Sequence, residues 1–593
     1  MSEHPSVPQG EHPSVPQGAH PSVPQGEHPS DILREERVAG SAPADLRREV
    51  RATLMPGFTG FSAPEWLLAA LRDGLLATCV YGGNVRDRAQ LAELGAQLRA
   101  AAPDALIAID EEGGEVTRLH YLEGAPYPGA AILGRIDDLG YTEEIGRRVG
   151  RDILASGFDL ALAPDADVNS NPKNPVIGTR SFGADPERAS AHVAAWIDGL
   201  RSTGALACPK HFPGHGDTAQ DSHLALPVVD APLEVLIERD LPPFAAAIAA
   251  GAETVMTSHI LLPAVDPDRP ATFSRAILQG ILRDRLGFAG TIVSDALDMQ
   301  GASGGIGIPE AAARALAAGC DLLCVGTDTT AEQLREIEDR VLAAVADGRL
   351  PEARVREAAA RVRALTARAA PPTPADPREE PAPVALREDP RSPVTPREQP
   401  HASVILGEER VAGSPRRHDH LAPHRDAAAE LARIVASFDG ADRARAWLGA
   451  HPGAAVVRVD SEANMAVGFA PWGPFAAAAH PLPAWDDTAA RFSERPQIIV
   501  GCTSPMPWPL PEGADRGVIV IGRELHRHEF ARDGVDALRD AGVPALIIEM
   551  GWPETPVEGS RPYADVATFG SSALAGAALL ALLETPEPAG AAS

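Results

Sequence analysis

The run from Lys210 to Pro227 reads KHFPGHGDTAQDSHLALP and gathers one lysine, three histidines and two aspartates between apolar neighbours. Groups of these types at this density are suited to moving protons. Asp221 and His223 stand one residue apart, so the carboxylate can bond one imidazole nitrogen and fix the tautomer at the other, which is the arrangement of a general acid/base. Taken alone, an Asp-x-His pair in a loop is more often a solvated or capping pair than a catalyst. His211, His215 and His223 could also ligate zinc, although their spacing is not a standard zinc pattern.

The elements around this run say how it is held. Gly204 to Cys208 (GALAC) is a short apolar run of the buried parallel-strand type, and Pro232 to Ala249 has helical spacing, which makes the motif a strand-to-helix loop. Gly214 and Gly216 flank His215 and open backbone conformations closed to other residues. Further strands are predicted at Leu75 to Tyr81, Ala105 to Ile109, Asp159 to Ala163, Glu253 to Thr257, Thr291 to Ser294 and Asp321 to Val325. Helices are predicted at Asp87 to Ala100, Thr142 to Ser156, Pro186 to Arg201, Ser274 to Leu286 and Thr330 to Asp347. Repeated β-then-α units imply a parallel sheet, either closed into a TIM (β/α)8-type barrel or open and doubly wound. The polar residues favour the barrel. Asp110 ends ALIAI, Asp165 and Asp167 follow DLALA, Lys210 and His211 follow GALAC, His259 follows ETVMT and Asp295 follows TIVS. Strand ends surround one mouth in a barrel, whereas an open sheet would spread them along an edge.

The 593 residues exceed one ordinary domain, and the balance of 53 basic against 82 acidic side chains, net −29, speaks against nucleic acid or an acidic membrane face as the main partner. The fold class read from the pattern is α/β: a barrel over 45–368, then a smaller three-layer α/β sandwich over 426–585. Residues 1–44 hold an octapeptide repeat (EHPSVPQG at Glu3 and Glu11, AHPSVPQG at Ala19), expected to be disordered for want of apolar residues. A Pro- and charge-rich linker is expected at 369–425 and a short disordered tail at 586–593. In the second domain, strands are predicted at Ala455 to Val459, Gln497 to Gly501, Gly517 to Ile521, Pro544 to Glu549 and Asp565 to Phe569, without a Gly-rich phosphate loop. Five scattered cysteines, no apolar leader after Met1 and no run of about 20 apolar residues point to a cytoplasmic protein without a membrane span.

Four motifs carry a resemblance: KHFPGHGDTAQDSH, IDEEGGEVTR (Ile109 to Arg118), NPVIGTRSFG (Asn174 to Gly183) and SDALDM (Ser294 to Met299). By these four motifs and their order along the chain, the sequence resembles glycoside hydrolase family 3, in particular its NagZ-type β-N-acetylglucosaminidases. The resemblance implies a retaining enzyme on a TIM barrel, with Asp295 as nucleophile and Asp221/His223 as the acid/base dyad. It implies that Asp110, Arg118, Arg180, Lys210 and His211 hold the terminal sugar. A salt bridge within the barrel rim is the rival role for Arg118 and Arg180, as an N-cap is for Asp295. His215, Asp217, Asp167 and His259 fit supporting roles. Elsewhere in the family a second-domain glutamate is the acid/base, which singles out Glu524, Glu529 and Glu549; with the dyad present they read as structural.

The expected activity is exo-acting hydrolysis of terminal N-acetylglucosamine from a small carbohydrate, such as a peptidoglycan fragment in cell-wall recycling, with no metal or organic cofactor. A phosphorylase on the same scaffold is the nearest alternative, because a neutral histidine does not repel phosphate as a carboxylate would. A non-catalytic sugar-binding scaffold is the alternative from another class.

Overall fold

The computed structural model describes residues 43–220, 226–369, 427–461, 466–468, 470–482, 484–556 and 559–584. The repeat, the linker expected at 369–425 beyond its first residue, the tail at 586–593, and both Asp221 and His223 lie outside them.

Eight short parallel strands form a closed barrel: β1 (Leu54–Pro56), β2 (Ala77–Val80), β3 (Leu106–Ile109), β4 (Leu160–Ala161), β5 (Leu206–Ala207), β6 (Thr254–Met256), β7 (Thr291–Val293) and β8 (Leu323–Gly326). Ladders join β2-β3-β4-β5, β6-β7 and β8-β1. Phe212 N–H to the Met256 carbonyl (2.8 Å) carries the sheet from β5 to β6, and Asp321 N–H to the Ile292 carbonyl (2.8 Å) carries it from β7 to β8. The Thr78 hydroxyl on the Pro56 carbonyl (2.8 Å) ties β2 to β1.

Alternation along the strands decides what faces where. Leu106 and Ala108 of β3, Leu206 and Cys208 at β5, and Val293 of β7 fill the inside with Met55, Cys79, Met256 and Cys324. Ile107 and Ile109 point outward into the core against the helices. Continuing each inward series by one step beyond the apolar residues gives Asp110, Lys210 and Asp295, so the next inward position at the barrel's C-terminal mouth is polar in three strands.

The sequence reading gave seven of the eight strands. β1 escaped it because three residues are too few for a periodic signal; what makes the segment a strand is pairing with β8, Leu54 against Leu323 and Met55 against Cys324. Pro186–Arg201 is helical as expected. The expected helix near 274–286 is instead wound as a π-helix over Ala276–Arg285.

The second domain is a parallel five-stranded sheet in the order β10-β9-β11-β12-β13, from β9 (Ala455–Val459), β10 (Gln497–Val500), β11 (Val518–Gly522), β12 (Ala545–Glu549) and β13 (Val566–Ala567). Both faces are covered, giving three layers. Val456, Ile519 and Ile548 pack with Leu431, Ile434 and Leu579 on one side; Val457, Val520 and Ile547 pack with Trp508, Val535 and Leu538 on the other. Helix Ala573–Glu584 is apolar nearly all round because ten of its residues are buried. The domains are joined by Arg148–Glu430 (2.9 Å) and Arg433–Asp138 (3.0 Å) ion pairs and by Ile132 of the barrel side, which packs in the second domain's core. Among the described residues no helix is long and apolar enough to cross a membrane.

Candidate active site

At the barrel mouth a chain of charges runs between the ends of three strands. Lys210, just past β5, donates from Nζ to Asp110 Oδ1 (2.7 Å) and lies 2.8 Å from Glu112 Oε1. Glu112 accepts two bonds from Arg180, at 2.9 Å from Nε and 2.8 Å from a terminal nitrogen. Arg180 stands in the loop after β4, in the turn Gly178–Arg180, and also donates to His211 Nε2 (3.3 Å). His211 Nδ1 in turn donates to Asp167 Oδ2 (2.8 Å), which leaves Nε2 as the acceptor on the cavity side.

These groups are buried, and burial disfavours charge unless a partner compensates. Burial works against the Lys210 ammonium, but Asp110 and Glu112 outweigh it and lift its pKa above the ordinary value. Burial likewise opposes the Glu112 carboxylate, yet Arg180 and Lys210 hold its pKa well below the usual range. For Asp165, burial and the neighbouring Asp167 together raise the carboxyl well above that range. Asp167 goes the other way: burial is outweighed by His211 and by the bond from His215 N–H (2.6 Å). Burial pushes the His215 imidazole down to about 4, so it is neutral in ordinary buffers. Asp165, Asp167 and His211 bring three donor atoms within 4.8 Å of one another; there the His211–Asp167 bond and the Arg180 guanidinium, 3.8 Å from Asp165, supply the charge balance.

Asp295, two residues beyond β7, faces the same cavity of about 580 Å³, together with Asp110, Glu112, Arg118, Arg180, Lys210, His211 and His215. That volume suits a small ligand. Asp295 is not an N-cap: its Oδ1 accepts from the next N–H, Ala296 (2.8 Å), and the following helix begins only at Gln300. His259 secures the neighbouring backbone through Nε2 to the Ala296 carbonyl (3.0 Å), with Nδ1 2.9 Å from the Thr272 hydroxyl.

All five expected sugar-holding residues and the expected nucleophile therefore line one cavity, while Asp221 and His223 fall outside the described residues. Asp217 turns away to Arg239 (2.9 Å). Arg118 lines the cavity and donates to the second-domain carbonyls of Ala466 (2.7 Å) and Val467 (3.4 Å), whereas the rim salt bridge weighed for Arg180 is present, to Glu112. Glu549 is structural: it accepts the N–H groups of Glu524 (2.6 Å), Leu525 (2.7 Å) and Gly551 (2.6 Å). Glu529 opens helix Glu529–Asp540. Glu524 lines a separate crevice beside Arg180, where burial raises its carboxyl to about 7. Glu112 was missed by the sequence reading. It lies three residues past the end of β3 at Ile109, where strand alternation no longer marks a face.

Residues 62–365 match the family model described as Glycosyl hydrolase family 3 N terminal domain. The chain is 39% identical over 311 residues to a protein named Beta-hexosaminidase from Chromobacterium violaceum, spanning 51% of this chain and 84% of that one. A Beta-hexosaminidase from Pseudomonas aeruginosa is 40% identical over 262 residues, 43% of this chain and 76% of its own length. Among solved structures, a glycoside hydrolase family 3 beta-N-acetylglucosaminidase from Paenibacillus sp. superposes with a TM-score of 0.70 at 26% identity, covering 91% of this chain and 96% of that one. Beta-N-acetylhexosaminidase from Beutenbergia cavernae is 31% identical with a TM-score of 0.50 over 54% of this chain and 98% of its own.

Proposed function

The chain belongs to glycoside hydrolase family 3, and from that premise we propose that it is a retaining, exo-acting β-N-acetylglucosaminidase with its catalytic barrel over 45–368 and the α/β sandwich over 426–585. The observation that carries the proposal is the convergence of Asp110, Arg180, Lys210, His211 and Asp295 on one cavity. Charged donors and acceptors suit sugar hydroxyls because ionised hydrogen bonds are about twice as strong as neutral ones. The Asp295 carboxylate attacks the anomeric carbon as the glycosidic bond breaks, and holds the sugar as a covalent ester. His223, oriented by Asp221, protonates the departing oxygen and then takes a proton from the water that opens the ester. Lys210 and Arg180 keep Asp110, Glu112 and His211 in place for the non-reducing sugar, with Arg118 at its edge. The substrate is a small N-acetylglucosamine-terminated carbohydrate such as a peptidoglycan fragment met in cell-wall recycling. A cytoplasmic setting accords with four buried unpaired cysteines and one exposed.

Trapping with a fluorinated N-acetylglucosaminide and mapping the labelled peptide tests the nucleophile. Label on Asp295, and loss of all turnover in Asp295→Ala, is expected; label on another carboxylate refutes the assignment. Turnover in phosphate buffer without sugar 1-phosphate separates the hydrolase from the phosphorylase.

A further inference from the structure

We infer that Arg527, a residue of the appended sandwich, is a positioning residue for the barrel's acid/base loop. This rests on the preceding reading only in taking the segment that follows Pro213 as the carrier of the catalytic acid.

The guanidinium of Arg527 crosses from the second domain to the barrel and donates to three successive carbonyls: Pro172 (3.1 Å), Lys173 (2.9 Å) and Asn174 (2.7 Å). Its own loop is fixed, since Glu549 binds the N–H groups of Glu524 and Leu525, and Arg527 N–H bonds to the Glu524 carbonyl (2.8 Å). A charged fork with 18% of its side chain exposed therefore curls the barrel segment 172–174 around itself.

That segment holds the loop together with Asp167, which bonds the His215 N–H (2.6 Å). Asn174 Nδ2 donates to the carbonyls of His215 (2.8 Å) and Gly216 (3.1 Å) and lies 3.3 Å from the Thr218 hydroxyl. Asn171 N–H adds a bond to the Gly216 carbonyl (3.3 Å). The stretch has no regular ladder, so these bonds, with the one from His215 N–H to Asp167, hold its backbone, and shifting the 171–174 segment shifts its share of them. Gly216 leaves no slack, because a Cβ there would come within 1.7 Å of the Val168 carbonyl. Arg180, on the same motif, has its own bidentate anchor on Glu112 and keeps its place without Arg527. Loss of Arg527 should thus fall on the step that needs the loop, the delivery of a proton to the leaving group, more than on sugar binding.

The experiment uses the full chain with Arg527→Ala and Arg527→Lys, and aryl β-N-acetylglucosaminides spanning good leaving groups such as dinitrophenolate to poor ones such as methoxyphenolate. Glycosides with poor leaving groups need protonation and those with good ones do not. For Arg527→Ala, kcat/KM is expected to fall about 10- to 100-fold on the poor leaving groups and at most about threefold on dinitrophenolate, the scale of a misplacement near 1 Å. Arg527→Lys, which keeps the charge but not the fork, should recover part of the loss. An equal fall on all leaving groups, or none, overturns the inference, and a drop in melting temperature alone does the same. His223→Ala, measured beside it, tests which residue is the acid: if that variant shows no leaving-group dependence the acid is misassigned, whereas the Arg527→Ala ratio decides the positioning role by itself.

Discussion

Glu112→Gln is the sharpest probe of the charge chain at the barrel mouth. The carboxylate takes two bonds from Arg180 and lies 2.8 Å from Lys210; the three side chains are 5%, 5% and 3% exposed. Glutamine keeps the shape but removes the charge, and its amide N–H₂ must point at one of the two cations. Asp110 still faces Lys210, but Arg180 keeps Asp165 only at 3.8 Å, and burial and Asp167 push the pKa of that carboxyl up. Breaking a buried pair on one side costs about 3–5 kcal/mol, a large part of the roughly 5–15 kcal/mol that holds a domain folded. A loss of only about 1.4 kcal/mol in the orientation of Arg180 and His211 for the sugar is a tenfold fall in kcat/KM. The assay is urea unfolding of both proteins with kcat and KM on a chromogenic N-acetylglucosaminide, plus the double variant Glu112→Gln/Arg180→Gln, in which coupling of about 2–3 kcal/mol is expected. Because the native pKa of Glu112 is depressed from 4.5, its contribution is complete above that value and is lost as pH falls through the native pKa, so the gap between the two proteins must narrow in acid. A cost under about 1 kcal/mol, the range of exposed pairs, or strict additivity in the double variant would refute the reasoning.

Two further outcomes follow from groups outside that chain. Glu524, raised from 4.5 to about 7, holds its proton in the native state where the unfolded chain has lost it, so wild type loses stability as pH rises from about 4.5 to 7. Glu524→Gln has no such loss, and its stability relative to wild type should climb by up to about 3 kcal/mol over that window and then level off in unfolding series across pH; a flat difference would count against a half-buried, proton-holding Glu524. Gly216→Ala should lower activity and melting temperature together, since the new methyl meets the Val168 carbonyl at 1.7 Å, whereas Gly83→Ala, with nothing within 4 Å, should leave the melting temperature unchanged. Equal melting temperatures for the two would contradict the close backbone approach.

Much of this protein is legible along the chain because the barrel's rules are local. A strand alternates its faces, so Leu106 and Ala108 announce Asp110, Leu206 and Cys208 announce Lys210, and Val293 announces Asp295, before any contact is known. Glu112 lies past the end of β3 at Ile109, where that rule no longer applies. The α/β pattern of the second domain was visible for the same reason, since Val456 and Val457 belong to opposite faces in any parallel sheet covered on both sides. Other features have no local signal. β1 is three residues long and is a strand only because β8 lies beside it. Arg527 is an ordinary arginine in sequence, and the motif that marks Arg118 does not name its partners; both bond carbonyls, 355 and 348 positions away, brought near when the sandwich docks on the rim. Residue type and periodicity determined which groups could do chemistry and toward which side of a strand they point. Only the closed tertiary structure decided which of them meet, because hydrogen bonding and the burial that shifts a pKa depend on distances through space that chain separation does not encode.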